Sequence, residues 1–169
     1  MNLTTADYIT TYTGQKVNVF DPDLSTIKIE DIAHALSFVP RFAGHTSIFF
    51  SVAEHSINCA KDIEPEYALE ALLHDATEAY ICDLAKPIKS QLPGYVHLEA
   101  NLMRVIAIKF NLTFPLPDRV KTIDTMNLYK EYDLYVRGDT TGLVHEPMDK
   151  IEKEFLDMYY LLNEFRTKR

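Results

Sequence analysis

An adjacent histidine and aspartate, His74 and Asp75, lie in an apolar stretch that reads Ala71-Leu-Leu-His-Asp-Ala-Thr-Glu78. Aspartate is a weak helix former, and its carboxylate is costly to bury unpaired among Leu and Ala side chains. A divalent cation would satisfy the pair, because imidazole nitrogen and carboxylate oxygen together suit Zn, Co, Mn, Fe or Ni better than Mg. A hydrogen-bonded core histidine beside a solvated aspartate is the alternative, and the dipeptide alone does not decide between them.

A third polar side chain belongs to the same stretch. Glu78 follows His74 by four residues, so a continuous helix would present both side chains on one face. A carboxylate at that position is a candidate general acid or base beside a metal ion. The sequence leaves open which of the two roles it takes.

Two further segments place metal-ligand residue types in predicted helices. His55 lies in Ser51-Val-Ala-Glu-His-Ser56, an apolar-faced helix for which Ser51 is the predicted N-cap. Asp124 shares a helix face with Lys121 and Glu131. That polar face is either a solvated surface stripe or a part of the same site, and its own sequence fits both interpretations.

Taken together, these motifs resemble the HD-domain metal-dependent phosphohydrolase superfamily. The order of His55, then His74-Asp75, then a distant Asp124 carries the resemblance, which extends from about residue 14 to residue 131. Its local motifs resemble small phage, prophage and bacterial nucleotide hydrolases, among them deoxyribonucleoside 5'-monophosphatases and phage dATP triphosphohydrolases. The motifs are Arg41-Phe-Ala-Gly-His45, Ser51-Val-Ala-Glu-His-Ser56, Ala71-Leu-Leu-His-Asp-Ala-Thr-Glu-Ala-Tyr80 and Asp83-Leu-Ala-Lys-Pro-Ile-Lys89.

The resemblance implies a site with separate roles for its members. It implies one divalent transition metal ion held by His55, His74, Asp75 and Asp124, with Glu78 as the catalytic carboxylate. The predicted phosphate-contacting residues are Arg41, Lys89 and Lys121, with Lys86 as a support or replacement. His45 is predicted either to contact the nucleotide or to hold the Arg41 loop.

The expected activity is hydrolysis of a nucleotide. The leading prediction is a deoxyribonucleoside 5'-monophosphatase, a 5'-nucleotidase that releases nucleoside and phosphate. A deoxynucleoside triphosphate triphosphohydrolase is the alternative, because the same ligands and Glu78 would serve it and several lysines extend the positive charge. An alternative of another class is a metal-bound nucleotide-sensing module without turnover.

The pattern along the chain predicts an all-α fold, a compact multi-helix bundle formed as a single domain over residues 1–169. An irregular or hairpin-like segment precedes the helices, with a half-buried strand over residues 16–20. The predicted helices cover residues 29–38, 52–63, 66–82, 95–110, 118–136 and 148–166. A short basic connector interrupted by Pro87 lies between the third and fourth of them.

Composition limits the partners. A net charge of −8 leaves no basic face for duplex nucleic acid, although a few convergent cations would still bind a small anion. No apolar run of membrane-spanning length and no signal peptide are apparent, so we expect a cytoplasmic protein that binds a small-molecule nucleotide. Cys59 and Cys82 are expected to be reduced thiols without a metal-ligand partner. The apolar stripe of the final helix and the resemblance together suggest a homo-oligomer.

Overall fold

The computed structural model describes residues 8–168 and shows a mostly helical fold with a short N-terminal hairpin, as the sequence predicts. Strand β1 (Ile9–Thr10) pairs antiparallel with β2 (Lys16–Val17). Eight α-helices follow in the described residues: α1 (Ile29–Phe38), α2 (Val52–Lys61), α3 (Ala68–Leu72), α4 (Glu78–Ile81), α5 (Lys86–Lys89), α6 (Pro93–Lys109), α7 (Asp118–Glu131) and α8 (Met148–Thr167).

Helix α2 is central to the packing. It contacts α1, α3, α7 and α8, so its side chains face the core on most sides. Ser51 caps its N-terminus as predicted: the Ser51 hydroxyl accepts from the Glu54 N–H, and the Glu54 carboxylate accepts from the Ser51 N–H. This reciprocal pair fixes where the helix begins, and therefore where His55 lies one turn later.

The remaining core comes from apolar faces that close around α2. Side chains without measurable exposure occur on α1, α3, α6 and α8, among them Leu36, Leu72, Ile106 and Phe155. Burying each such side chain contributes roughly 1.5–3 kcal/mol to folding. The frame that carries the polar cluster described below is therefore a close-packed apolar core. None of the helices in the described part of the chain is both long and apolar enough to cross a membrane.

The structure corrects the predicted long helix over residues 66–82. The helix ends at Leu72, residues 73–77 form tight turns, and α4 begins at Glu78. The His74 ring explains the break, since its Nδ1 lies 2.7 Å from the Ala71 carbonyl oxygen. That carbonyl would otherwise accept from the Asp75 N–H in a continuous helix. The position of Glu78 relative to His74 is consequently set by a turn and not by helical periodicity.

Smaller differences between the predicted and the observed elements have local causes. The predicted strand over residues 16–20 is confined to Lys16–Val17, because its partner strand has only two residues. The basic connector forms the short helix α5, since Pro87 lies in its first turn, where a proline is tolerated. Helix α7 ends at Glu131 and continues as a π-helix over Tyr132–Arg137, a geometry often found near functional sites.

Candidate metal centre and adjoining cavity

The polar cluster is assembled from three separate elements. His55 comes from α2, His74 and Asp75 from the turn after α3, and Asp124 from α7. His55 Nε2 lies 3.3 Å from His74 Nε2 and 3.1 Å from Asp124 Oδ1, and His74 Nε2 lies 3.1 Å from Asp75 Oδ2. Donor atoms that share one ion at about 2.1 Å lie roughly 3 to 3.4 Å apart. Three contacts among the four predicted ligands lie in this range, whereas the distances from His55 Nε2 to Asp75 Oδ2 and from His74 Nε2 to Asp124 Oδ1 are longer, at 3.7 and 3.8 Å.

Both histidines are held so that Nε2 faces the cluster. His55 Nδ1 lies 2.9 and 2.8 Å from the two carboxylate oxygens of Glu131, to which it donates a hydrogen bond. His74 Nδ1 donates to the Ala71 carbonyl. Metal-binding histidines usually donate their second ring N–H in this way, to a carboxylate or a backbone carbonyl. The hydrogen bonds that the two Nδ1 atoms donate are therefore those expected of metal-binding histidines.

A thiol adjoins the same atoms. His55, Cys59 and His74 each place a donor atom within 4.8 Å of the others, a group that could hold a metal ion. The expectation that Cys59 lacks a ligand partner is therefore wrong; its spacing of four residues from His55 already placed the two on one helix face. Cys59 is fully buried, and its sulfur lies 3.6 Å from His55 Nε2, farther than the Asp124 oxygen. The carboxylates are the nearer partners of the two imidazoles.

Paired charges control the protonation of this cluster. Burial opposes the charge on His55, but hydrogen bonds to Asp124, Cys59 and Glu131 outweigh burial and raise its pKa to about 10. Burial likewise opposes the charge on His74, yet Asp75 and Asp124 raise its pKa well above the ordinary value. The histidines in turn hold the pKa of both aspartates below the usual range, although burial alone would raise it. At neutral pH the two imidazoles carry protons that a divalent cation would displace.

Arg41 lies at the edge of the cluster and is 7% exposed. Its Nη1 is 3.7 Å from Asp75 Oδ2 and its Nη2 is 3.6 Å from Glu131 Oε2. The chain places it through an unusual turn: Phe42 and Ala43 both have left-handed backbone angles, with φ of 55° and 52°. Non-glycine residues adopt this region only when the surroundings enforce it, and such strain is concentrated at functional sites.

Glu78 is an isolated carboxylate. It is 6% exposed, and its Oε2 has no hydrogen-bond partner among the described residues. Burial, reinforced by the negative charges of Asp75 and Asp83, raises the pKa of Glu78 well above its ordinary value. Burial also raises the pKa of Asp83. A buried carboxyl group with an open oxygen is suited to exchange a proton with a bound ligand.

Arg41, Glu78 and Asp83 border one cavity of about 490 Å³, a volume typical of sites for small molecules. Among the predicted site residues, those that line it are Arg41, Asp75, Glu78, Lys86, Lys89, Lys121 and Asp124. Lys89 forms an ion pair with Glu99. The predicted phosphate-contacting cations are thus brought together in one cavity with Asp75 and Asp124 of the polar cluster.

Three predicted site residues do not line the cavity: His55, His74 and His45. The first two belong to the polar cluster, whereas His45 is exposed at the end of the Arg41 turn, where its backbone N–H donates to the Phe42 carbonyl. A backbone hydrogen bond does not depend on the side chain, so both predicted roles of His45 stay open.

Two site residues received no role from the sequence. Glu131 orients His55 and pairs with Arg41, and its 4% exposure excludes the solvated stripe that was one interpretation of its helix face. Its spacing of seven residues from Asp124 was the available signal. Asp83 lines the cavity, and its position at the head of the Asp83-Leu-Ala-Lys86 motif was the only sign of it.

The fold and the cluster define a mostly helical protein with a histidine-centred group able to hold a metal ion. The chain is 40% identical over 124 residues to the uncharacterized protein YfdR of Escherichia coli (strain K12), which covers 73% of this chain and 70% of YfdR. It belongs to the YfdR family. It is also 37% identical over 118 residues to an uncharacterized protein of Rhodobacter capsulatus. That match covers 64% of this chain and 60% of the Rhodobacter protein, so the chain spans less than two thirds of that relative's length. No family model matches the chain.

Proposed function

We propose that this protein is an HD-type metal-dependent phosphohydrolase that acts on nucleotides, with deoxyribonucleoside 5'-monophosphates as its leading substrates. The observation that carries the proposal is the juxtaposition of two groups of residues. Imidazole nitrogens and carboxylate oxygens converge within 3.1 to 3.8 Å of one another, and Arg41 with three lysines borders the cavity beside them.

The residues present fit one divalent transition metal ion. Two imidazole nitrogens and two carboxylate oxygens favour Zn, Co, Mn, Fe or Ni over Mg, and both imidazoles have the outer hydrogen bonds that such ligands need. When bound, the ion would supply Lewis acidity toward a phosphoryl group and an attacking water. His55, His74, Asp75 and Asp124 would hold it.

The other residues divide the work on the substrate. The Arg41 guanidinium presents a planar fork suited to a phosphate group, and it is already oriented by Asp75 and Glu131. Glu78 holds or receives a proton at Oε2, the atom that has no partner within the described chain. A raised pKa suits this exchange, because proton transfer is most efficient when the pKa lies near the working pH.

A triphosphohydrolase is the second candidate, and one observation favours it. Lys86 and Lys121 line the cavity from α5 and α7, and neither forms an ion pair within residues 8–168. Uncommitted cations in a chain of net charge −8 would suit phosphates beyond the first.

Product analysis tests both candidates. Purified protein is incubated with Co, Mn, Zn or Mg and with nucleoside mono-, di- and triphosphates, and the products are separated by chromatography. The Asp75→Ala variant is the control. Nucleoside and orthophosphate from monophosphates alone would support the leading proposal, and tripolyphosphate would favour the second candidate. Stoichiometric metal binding without any turnover would refute both and leave the nucleotide-sensing module. Light scattering tests the proposed homo-oligomer, which a monomeric mass would refute.

A further inference from the structure

The cavity has an apolar part as well as a charged part. Its lining includes Leu84, Ala85, Pro87, Leu128 and Tyr129, which contribute no charge. A site for inorganic phosphate alone would need only the metal cluster and the cations. The apolar part therefore accommodates a portion of the ligand that is not phosphate.

Helix α7 shows how the two parts are joined. At about 100° per residue, Leu128 lies about 40° and Tyr129 about 140° around the helix from Asp124. Tyr129 is also about 7.5 Å farther along the axis. Both residues nevertheless line the cavity, so one helix contributes a carboxylate and an aromatic ring to it.

The Tyr129 side chain is available for a ligand. It is 67% exposed, and it takes part in no ring contact or hydrogen bond with residues 8–168. Exposed aromatic rings that line a cavity stack well on planar groups, and every nucleobase has such a face. Stacking does not read the edge of a base, so it discriminates weakly between bases.

The α7 residues that line the cavity next to Tyr129 offer few polar groups for reading a base edge. The Thr125 hydroxyl already donates to the Lys121 carbonyl, and Leu128 offers no donor or acceptor. We infer that the apolar part of the cavity is a stacking subsite in which Tyr129 binds the face of a nucleobase, so that the protein accepts nucleotides of several bases. This inference rests on the proposed function and specifies its substrate class.

The experiment compares Tyr129→Ala and Tyr129→Phe with Met126→Ala, an exposed side chain of the same helix that does not line the cavity. Calorimetry with the metal-loaded protein measures binding of the four deoxyribonucleoside 5'-monophosphates and of deoxyribose 5-phosphate, which has no base. The Glu78→Gln background slows turnover during the titration. Tyr129→Ala should weaken nucleotide binding about 5- to 20-fold, the lower part of the range for stacking.

The same change should leave binding of deoxyribose 5-phosphate unaltered, and Tyr129→Phe and Met126→Ala should match the parent within about twofold. Equal loss for nucleotide and sugar phosphate, or no loss for either, would overturn the subsite. So would a preference for one base above about a hundredfold, since stacking alone does not supply it. If the parent hydrolyses no nucleotide but Tyr129→Ala weakens only nucleotide binding, the proposed function fails and the subsite stands.

Discussion

Replacing Glu131 with glutamine should weaken metal binding without removing any ligand. The Glu131 carboxylate accepts from His55 Nδ1 at 2.8 to 2.9 Å and faces Arg41 Nη2 at 3.6 Å. Glutamine has nearly the same shape and still accepts one hydrogen bond, but it carries no charge. The imidazole then becomes a poorer donor to a cation, because the carboxylate no longer increases its basicity.

The magnitude follows from the role of this contact. Loss of an outer partner of a ligating histidine typically costs 10- to 100-fold in metal affinity, which corresponds to about 1.4–2.7 kcal/mol. Arg41 would keep Asp75 as its only nearby ion-pair partner among the described residues and lose one of the two contacts that orient its guanidinium. If that orientation outweighs the removal of a competing negative charge, binding of inorganic phosphate to the metal-loaded protein weakens as well. One substitution thus affects both halves of the site, since one carboxylate contacts both.

Calorimetric titration with Mn or Zn against a competing chelator measures the metal affinity, and a phosphate titration of the loaded protein measures the second effect. The matched control is Asp133→Asn, which removes an exposed carboxylate of the next turn that pairs with Arg137. Far-ultraviolet circular dichroism verifies that each variant is folded. A folded Glu131→Gln protein with the metal affinity of the parent would refute the reasoning.

Three further predictions concern the same site. Glu78→Gln should lower kcat about 100- to 10,000-fold at unchanged metal stoichiometry, and an unchanged kcat would contradict the proton-transfer role. The Tm of this variant at pH 7 should not fall, because a raised pKa means that ionisation of the Glu78 carboxyl group destabilises the folded protein as pH rises. Metal binding at pH 7 should release protons from His55 and His74, whose raised pKa values keep them charged in the metal-free protein, so that affinity tightens from roughly pH 6 to pH 8. Calorimetry in buffers of different ionisation enthalpy counts those protons, and an affinity independent of pH would disprove the displacement. Arg41→Lys should weaken inhibition by inorganic phosphate at least about tenfold, because an ammonium cannot form a bidentate contact while facing two carboxylates; equal inhibition would exclude Arg41 from phosphate binding.

The direction of the histidine pKa shifts also determines how the stability of the metal-free protein depends on pH. A histidine whose pKa is raised in the folded state contributes stability that is complete below its ordinary value and is lost as pH rises through the folded value. For His55 that loss extends to about pH 10. Asp75 and Asp124 behave oppositely, since their lowered pKa values contribute stability that is lost in acid. With a cation bound in place of the histidine protons, the stability of the protein would no longer depend on pH in this way.

The sequence by itself determined the elements and the residue types of the site. Helix α1 begins and ends where the apolar period and Pro40 predict, and the Ser51 capping box fixes the start of α2. These features are local, because capping and periodicity act over one or two turns. The resemblance that the motifs carry also selected His55, His74, Asp75 and Asp124, which the fold brings together.

Only the tertiary structure decided how those residues face one another. The break after Leu72 depends on the His74 ring, and the burial of Glu131 depends on how α7 packs against α2. The contact between Glu131 and His55 joins residues 76 positions apart, and no local pattern encodes such a distance. The closeness of Cys59 to the cluster has the same origin, since a thiol four residues from His55 becomes a neighbour of His74 only when α2 packs against α3.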